Sequence, residues 1–316
     1  MILWKMAEEG KPGAAKFICA RRTALFPKKI GGVIMENLGY YNGKIGLLEE
    51  MMVPMNDRVC YFGDGVYDAT YAVNHIPFAL MDHIDRFYNS AALIRIPIEM
   101  SKEEMAALLT DLVKKVDSNE AMLYWQITRG TGPRNHAFNG APMKPNLWVT
   151  VRHNPMKDIH KKYKMMTVED NRYFFCNIKT LNLLPNVLAF QQAVEAGCDE
   201  AVFHRGEMVT ECAHSNIIIL KDGVFRTAPL SNMILPGITR KHLIAICKEI
   251  GIPVLEEAFT IAQMMDADEV IYTSSGALCN PVSEVDGKPV GGKALELLKK
   301  LQDTYLARFR KETTPV

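Results

Sequence analysis

Lys179 lies in FCNIKTLNLLP, with Ile178, Leu181, Leu183 and Leu184 around it. A lysine among apolar neighbours is costly to charge, so its pKa is expected to fall and its amine to become nucleophilic. That is what a Schiff-base lysine requires, although a lysine snorkelling at a strand end is the plainer alternative. Glu211, in EMVTECAH, shares one face of a period-two strand with Val209 and Ala213. A carboxylate on an apolar face is expensive unless a cation meets it, either a protein arginine or a protonated ring nitrogen. LPGITRKHL closes a loop at Gly237 and opens a helix at Ile238 and Thr239, where free amides and a positive dipole end suit a phosphate. YTSSGALCNP adds Ser274 and Ser275 just after a strand, a second loop of that character, and FGDGVYDATY places Tyr67 after a glycine turn. RGTGPRNHAF, residues 129–138, sets Arg134 and His136 two apart on a backbone made irregular by Gly130, Gly132 and Pro133. A solvated surface turn accounts for that loop taken alone.

The elements that must hold these residues follow from local pattern. YYNGKI, Tyr40 to Ile45, reads as a hairpin turning at Asn42-Gly43. MLYWQIT, 122–128, and NLWVTV, 146–151, are strand-like. One helix is expected to start at Asp82 in MDHIDRFYNSAAL, another at Ser101, where Ser101 and Glu104 make a capping box. A further helix, NVLAFQQAVEAG, is entered just past Pro185 and ended by Gly197. EAVFHRGEMVTE and NIIILKDGVFRT read as hairpins, the second turning at Asp222-Gly223. GITRKHLIAICKEIG puts Leu243, Ile244, Cys247 and Ile250 on one helical stripe, with Gly251 as the stop. Strands and helices mix without regular βαβ alternation, which predicts an α+β (mixed α/β) two-domain protein rather than a doubly wound sheet.

Composition narrows the classes. A chain of 316 residues with 48% hydrophobic residues is long enough for two domains. A formal charge of +1 gives no reason to expect nucleic acid or an anionic membrane as partner. Seven cysteines without a CxxC pair argue against a zinc site or a disulfide framework and for a reduced, cytoplasmic setting. No metal site is expected. The basic, aperiodic start, residues 1–34, is expected to be an appendage outside the fold, followed by a small domain over 35–153 and a large one over 154–312.

A lysine, a buried acid and a phosphate cradle together match the needs of pyridoxal 5'-phosphate. On FGDGVY, DHIDRFYNSA, QITRGTGPRNHAF, IKTLNLLPNVLA, VTE, NMILPGITR and YTSSGALCNPV, the chain resembles the fold-type-IV pyridoxal phosphate enzymes over about Met35 to Leu301, and within them the D-amino-acid transaminases. The Arg-x-His loop singles out that branch; branched-chain transaminases and aminodeoxychorismate lyases lack it as families. The resemblance implies that Lys179 is catalytic and holds the cofactor, that Glu211 pairs with its ring nitrogen, and that Arg86, Ile238, Thr239 and Ser275 bind its phosphate. Tyr67, Arg134 and His136 would grip the substrate carboxylate, the last two reaching into a neighbouring subunit of a homodimer with shared sites. The implied reaction moves an amino group from a D-amino acid, D-alanine foremost, to 2-oxoglutarate. An aminodeoxychorismate lyase, a branched-chain or (R)-amine transaminase, and a cofactor-handling protein without turnover are the other readings. The chain departs from the family pattern at Cys212-Ala213-His214, where a Gly-Ser-Ser run is usual, and at Phe175 and Asn177, which replace an arginine and an aspartate.

Overall fold

A computed structural model describes residues 35–138 and 143–315 of the chain. The expected appendage therefore lies outside the described residues. The first sheet is antiparallel throughout, in the order β2-β1-β6-β5-β3-β4. Its strands are β1 (Asn37–Tyr41), β2 (Lys44–Gly46), β3 (Gly65–Val73), β4 (Ile76–Pro77), β5 (Glu120–Thr128) and β6 (Asn146–His153). Asn42 and Gly43 both take positive φ between β1 and β2, the two-residue turn that the Asn-Gly pair dictates. The short helix α1 (Arg58–Phe62) precedes β3. Helices α2 (Leu80–Leu93) and α3 (Lys102–Val113) cover one face, where Ile84, Phe87, Met105 and Leu109 pack on Leu123, Trp125 and Ile127. Alternation along β5 sends those last three to the same side. The capping box of Ser101 and Glu104 opens α3 as expected.

α2 starts two residues before the expected Asp82, with Ala79 as its N-cap. Asp82 does not cap because it is engaged elsewhere: its oxygens meet Lys241 Nζ and His242 Nε2, each at 2.6 Å.

The second sheet is mixed and runs β12-β11-β10-β13-β14-β7-β8-β9, with β15 on β14. Its strands are β7 (Tyr163–Glu169), β8 (Glu200–Arg205), β9 (Met208–Cys212), β10 (Asn216–Lys221), β11 (Val224–Thr227), β12 (Val254–Glu256), β13 (Glu269–Thr273), β14 (Asn280–Val285) and β15 (Lys288–Pro289). Both expected hairpins, β8-β9 and β10-β11, are present, and Asp222-Gly223 turns the second with positive φ at both residues. α4 (Leu184–Glu195) packs on β8, while α5 (Ile238–Glu249) and α7 (Leu295–Glu312) bury Leu243, Cys247, Leu301 and Tyr305 against Ile218 and Ile271. α6 (Ile261–Asp266) sets Met264 into the apolar cluster that also holds Val270 and Tyr272. Among the described residues no helix is long and apolar enough to cross a membrane.

Candidate active site

Two neighbouring residues of β3 part company because strand side chains alternate. Tyr67 faces an open cavity, and Asp68 points the other way, fully buried. There it meets one face of α2, whose positions 83, 86 and 90 lie three and four apart. Arg86 gives Asp68 a bidentate pair, Nε to Oδ2 at 2.9 Å and Nη2 to Oδ1 at 2.7 Å, and His83 Nδ1 lies 2.8 Å from Oδ1. Burial would raise this carboxyl, but Arg86 and then His83 outweigh it and hold Asp68 well below the usual carboxylate range. One turn further along α2, Ser90 Oγ accepts the amide of Lys179 at 3.1 Å.

Lys179 is thus fixed by main chain. Its carbonyl accepts Tyr67 N–H at 2.9 Å, and Leu181 N–H reaches the Gly65 carbonyl at 3.1 Å, so the segment lies alongside β3. Its ammonium group stands 4.3 Å from the centre of the Tyr67 ring, and that ring stacks on Tyr124. Of the apolar residues next to Lys179 in sequence, Ile178 and Leu183 line the same cavity, whereas Leu184 is 68% exposed, because the chain turns into α4 there. An aromatic face brought from another strand lies under the amine.

Glu211, near the end of β9, is buried as its strand face predicts. Its Oε1 accepts Arg172 Nη1 at 2.5 Å, and its Oε2 accepts Asn216 Nδ2 at 3.0 Å and the Leu235 amide at 2.9 Å. Arg172 commits its Nε and Nη2 to Asp170, both at 2.9 Å. Burial pushes the Glu211 carboxyl up to about 7, against the pull of Arg172 and the Leu235 amide. A protein arginine and a cofactor nitrogen are therefore not exclusive partners, since Arg172 occupies one oxygen only.

α5 begins at Ile238 behind Gly237, which has no side chain to cap it, so the first-turn amides are left to the cavity. A Cβ at position 237 would collide with Asn216 Oδ1, and this keeps the approach open only to glycine. The neighbouring wall carries Ser274 and Ser275 and the buried Ser215 Oγ, which has no hydrogen-bond partner among the described residues.

One cavity is lined by Lys179, Glu211, Arg86, Ile238, Thr239, Ser275 and Tyr67 together. Arg134 and His136 are not among its lining residues. They are exposed on the loop that leaves the C-terminal end of β5, the end paired with Gly65 and Tyr67, and that loop is fastened to α1: Arg58 bonds the carbonyls of Asn135 and His136, Asp64 holds Arg58 and Arg129, and Phe62 lies under both side chains. Gly130, at φ +114°, permits that path, and a Cβ there would strike the Lys144 carbonyl. Sequence reasoning did not single out Asp68, Asp170, Arg172, Ser215 or Asn216. Only Asp68 had a local signal, its place one residue past Tyr67 on a buried strand.

Comparison with known proteins agrees with this arrangement. Residues 65–285 match the family model described as Amino-transferase class IV. A D-alanine aminotransferase of Listeria monocytogenes serotype 4b is 42% identical over 263 residues, covering 82% of this chain and 91% of that protein. The D-alanine aminotransferase of Staphylococcus haemolyticus is 39% identical over 269 residues, covering 84% and 95%. Among solved structures, the branched-chain amino acid aminotransferase from Escherichia coli superposes with a TM-score of 0.78 at 25% identity, covering 88% of this chain and 96% of that one. A branched-chain amino acid aminotransferase of T.th., complexed with N-(5'-phosphopyridoxyl)-L-glutamate, does so with 0.75 at 26%, covering 88% and 97%. Both sheets and the cavity they carry fall within these alignments in large part, and the chain belongs to the class IV aminotransferases.

Proposed function

We propose that this chain transfers the amino group of a D-amino acid, D-alanine foremost, to 2-oxoglutarate, giving pyruvate and D-glutamate, with pyridoxal 5'-phosphate as cofactor. The observation that carries the reading is the convergence of Lys179, Glu211, Arg86 and the start of α5 on one cavity. The donor set fits the cofactor. The uncapped amides of Ile238 and Thr239, Arg86, Ser275 and the unpartnered Ser215 hydroxyl suit a phosphate dianion. Glu211 suits a protonated ring nitrogen, and Lys179 suits an aldehyde. When bound, pyridoxal phosphate supplies the carbonyl that carries the amino group and a ring that takes up the electron pair left at Cα.

The remaining work falls to the chain. Lys179 would hold the cofactor's aldehyde and, once freed, would take the proton from the substrate's Cα and carry it within the site. Tyr67, beneath its ammonium, keeps the amine against the cavity wall. Glu211 keeps a proton on the ring nitrogen, favoured because the carboxyl already lacks a full cationic partner. Lys179 serves one face of the substrate, so the hand accepted depends on where the α-carboxylate is gripped. Tyr67, with Arg134 and His136 from a second copy, forms that grip. The exposed apolar face of α4, Leu184, Val187 and Leu188, with Tyr173, Phe174 and Phe175 nearby in sequence, supports a homodimer. Residues 35–153 and 154–312 are its small and large domains, and the free cysteines suit the cytoplasm.

Lys179→Ala should lose the yellow absorbance of the loaded protein and at least about 10³-fold of D-alanine turnover. A variant that still turns over would end the assignment. Sharing of sites is tested with co-refolded hybrids of Lys179→Ala and Arg134→Ala chains. If the loop serves the partner, one site of each hybrid holds both residues, and activity at low D-alanine reappears although each parent is nearly inactive. Verified hybrids that recover nothing would return the loop to its own chain.

A further inference from the structure

His214 stands three residues beyond Glu211, on the wall of the same cavity, with its side chain 46% exposed. Behind it is a carboxylate sealed from water. Glu200, the first residue of β8, is fully buried; its Oε1 accepts the Ala201 amide at 2.8 Å and its Oε2 lies 2.7 Å from His214 Nδ1. Among the described residues, no lysine or arginine forms an ion pair with Glu200. A buried carboxyl needs a partner, and the imidazole is the basic group beside it. Its other nitrogen, Nε2, lies 2.8 Å from Tyr272 Oη, and the ring meets Phe190 edge-on at 5.2 Å. Neither neighbour brings charge. The pair is therefore oriented, with the carboxyl inside the protein and the imidazole at the cavity wall.

We propose that His214 is a specificity-determining residue whose imidazolium, held by Glu200 and Tyr272, attracts the distal carboxylate of dicarboxylic substrates such as 2-oxoglutarate and D-glutamate. This rests on the cavity being the transamination site. A monocarboxylic substrate has only the α-carboxylate, which the grip described above takes, and gains nothing from His214. The charge acts across the cavity, since Nε2 is engaged by Tyr272 Oη and Nδ1 is turned to Glu200.

His214→Asn removes the charge but leaves Glu200 with a weaker partner, so the double variant His214→Asn/Glu200→Gln, neutral at both positions, is made beside it. With D-alanine as donor, the ratio of kcat/KM for 2-oxoglutarate to that for 2-oxobutyrate should fall about tenfold in both variants, mainly through KM. Calorimetric affinity of the holoenzyme for glutarate relative to butyrate should fall by a similar factor. Either ratio staying within about twofold of wild type in the folded double variant overturns the assignment. If wild type aminates neither acceptor, the transamination reading fails, and the glutarate-to-butyrate ratio still decides the role of His214.

Discussion

Asp68 and Glu211 are both buried carboxylates that meet an arginine, yet they are pushed in opposite directions. The difference is stoichiometric. Asp68 has two bases to itself, Arg86 through a bidentate pair and His83 through Nδ1. Glu211 shares Arg172 with Asp170, which takes two of the guanidinium's nitrogens and leaves one. Asp170 in turn draws on Arg205 at 3.2 Å, but that residue does not reach Glu211. The bidentate Arg86 makes Asp68 a fixed anion, and Asp68 in turn orients Arg86. A shared cation leaves Glu211 able to take another positive charge, and a ring nitrogen in the cavity would supply it.

The largest effect separating the two clusters should come from Arg172→Met, which strands Glu211 and leaves Asp170 with Arg205 as its only cation. Urea unfolding of the apoprotein should show a loss of about 3–5 kcal/mol; an unchanged midpoint would mean that the cluster adds no stability. Next comes Glu211→Gln, expected to retain cofactor while kcat falls about 10²-fold, as for removal of a preorganised electrostatic group. A rate within a few-fold of wild type would reduce Glu211 to a structural partner of Arg172. The smallest effect is on pH dependence. Glu211, raised from 4.5 to about 7, gives a contribution that is complete below its unfolded value and lost as pH rises toward 7. Asp68, lowered, gives one that is complete above the ordinary carboxylate range and lost as pH falls. The melting temperature of the apoprotein should therefore decline on both sides, with Glu211→Gln flattening only the upper limb and Asp68→Asn only the acid one. The same variant flattening both limbs would show the clusters to be coupled.

Much of the fold was legible because its signals are local. Asn42-Gly43 and Asp222-Gly223 turn where the residue pair requires positive φ, and the box of Ser101 and Glu104 opens α3. The candidate site was legible to the extent that its residues carry strand or helix signatures: Glu211 by alternation, Ile238 and Thr239 by a helix start. What failed was inference from sequence neighbours to spatial ones. Beside Lys179, Leu184 turned outward into α4, and the ring under its amine is Tyr67, more than a hundred positions earlier. Arg172 and Asp170 gave no signal, since an ion cluster is specified by where loops meet. Arg134 and His136 were conspicuous by type, but that they do not line this chain's cavity is a tertiary fact.

The fastening of Lys179 has one further consequence. Its amide and carbonyl are both bonded, to Ser90 and Tyr67, while its amine stands over the Tyr67 ring at the end of an unbranched stem. The amine is thereby a tethered reagent, swept through a shell no wider than its own stem. Confinement of that kind keeps its effective concentration on the order of molar whether or not it is bound to anything. In the proposed reaction, a substrate amine that displaced it would leave it tethered in place, and the backbone pairing that looks like ordinary strand edge would keep the exchange reversible from either end.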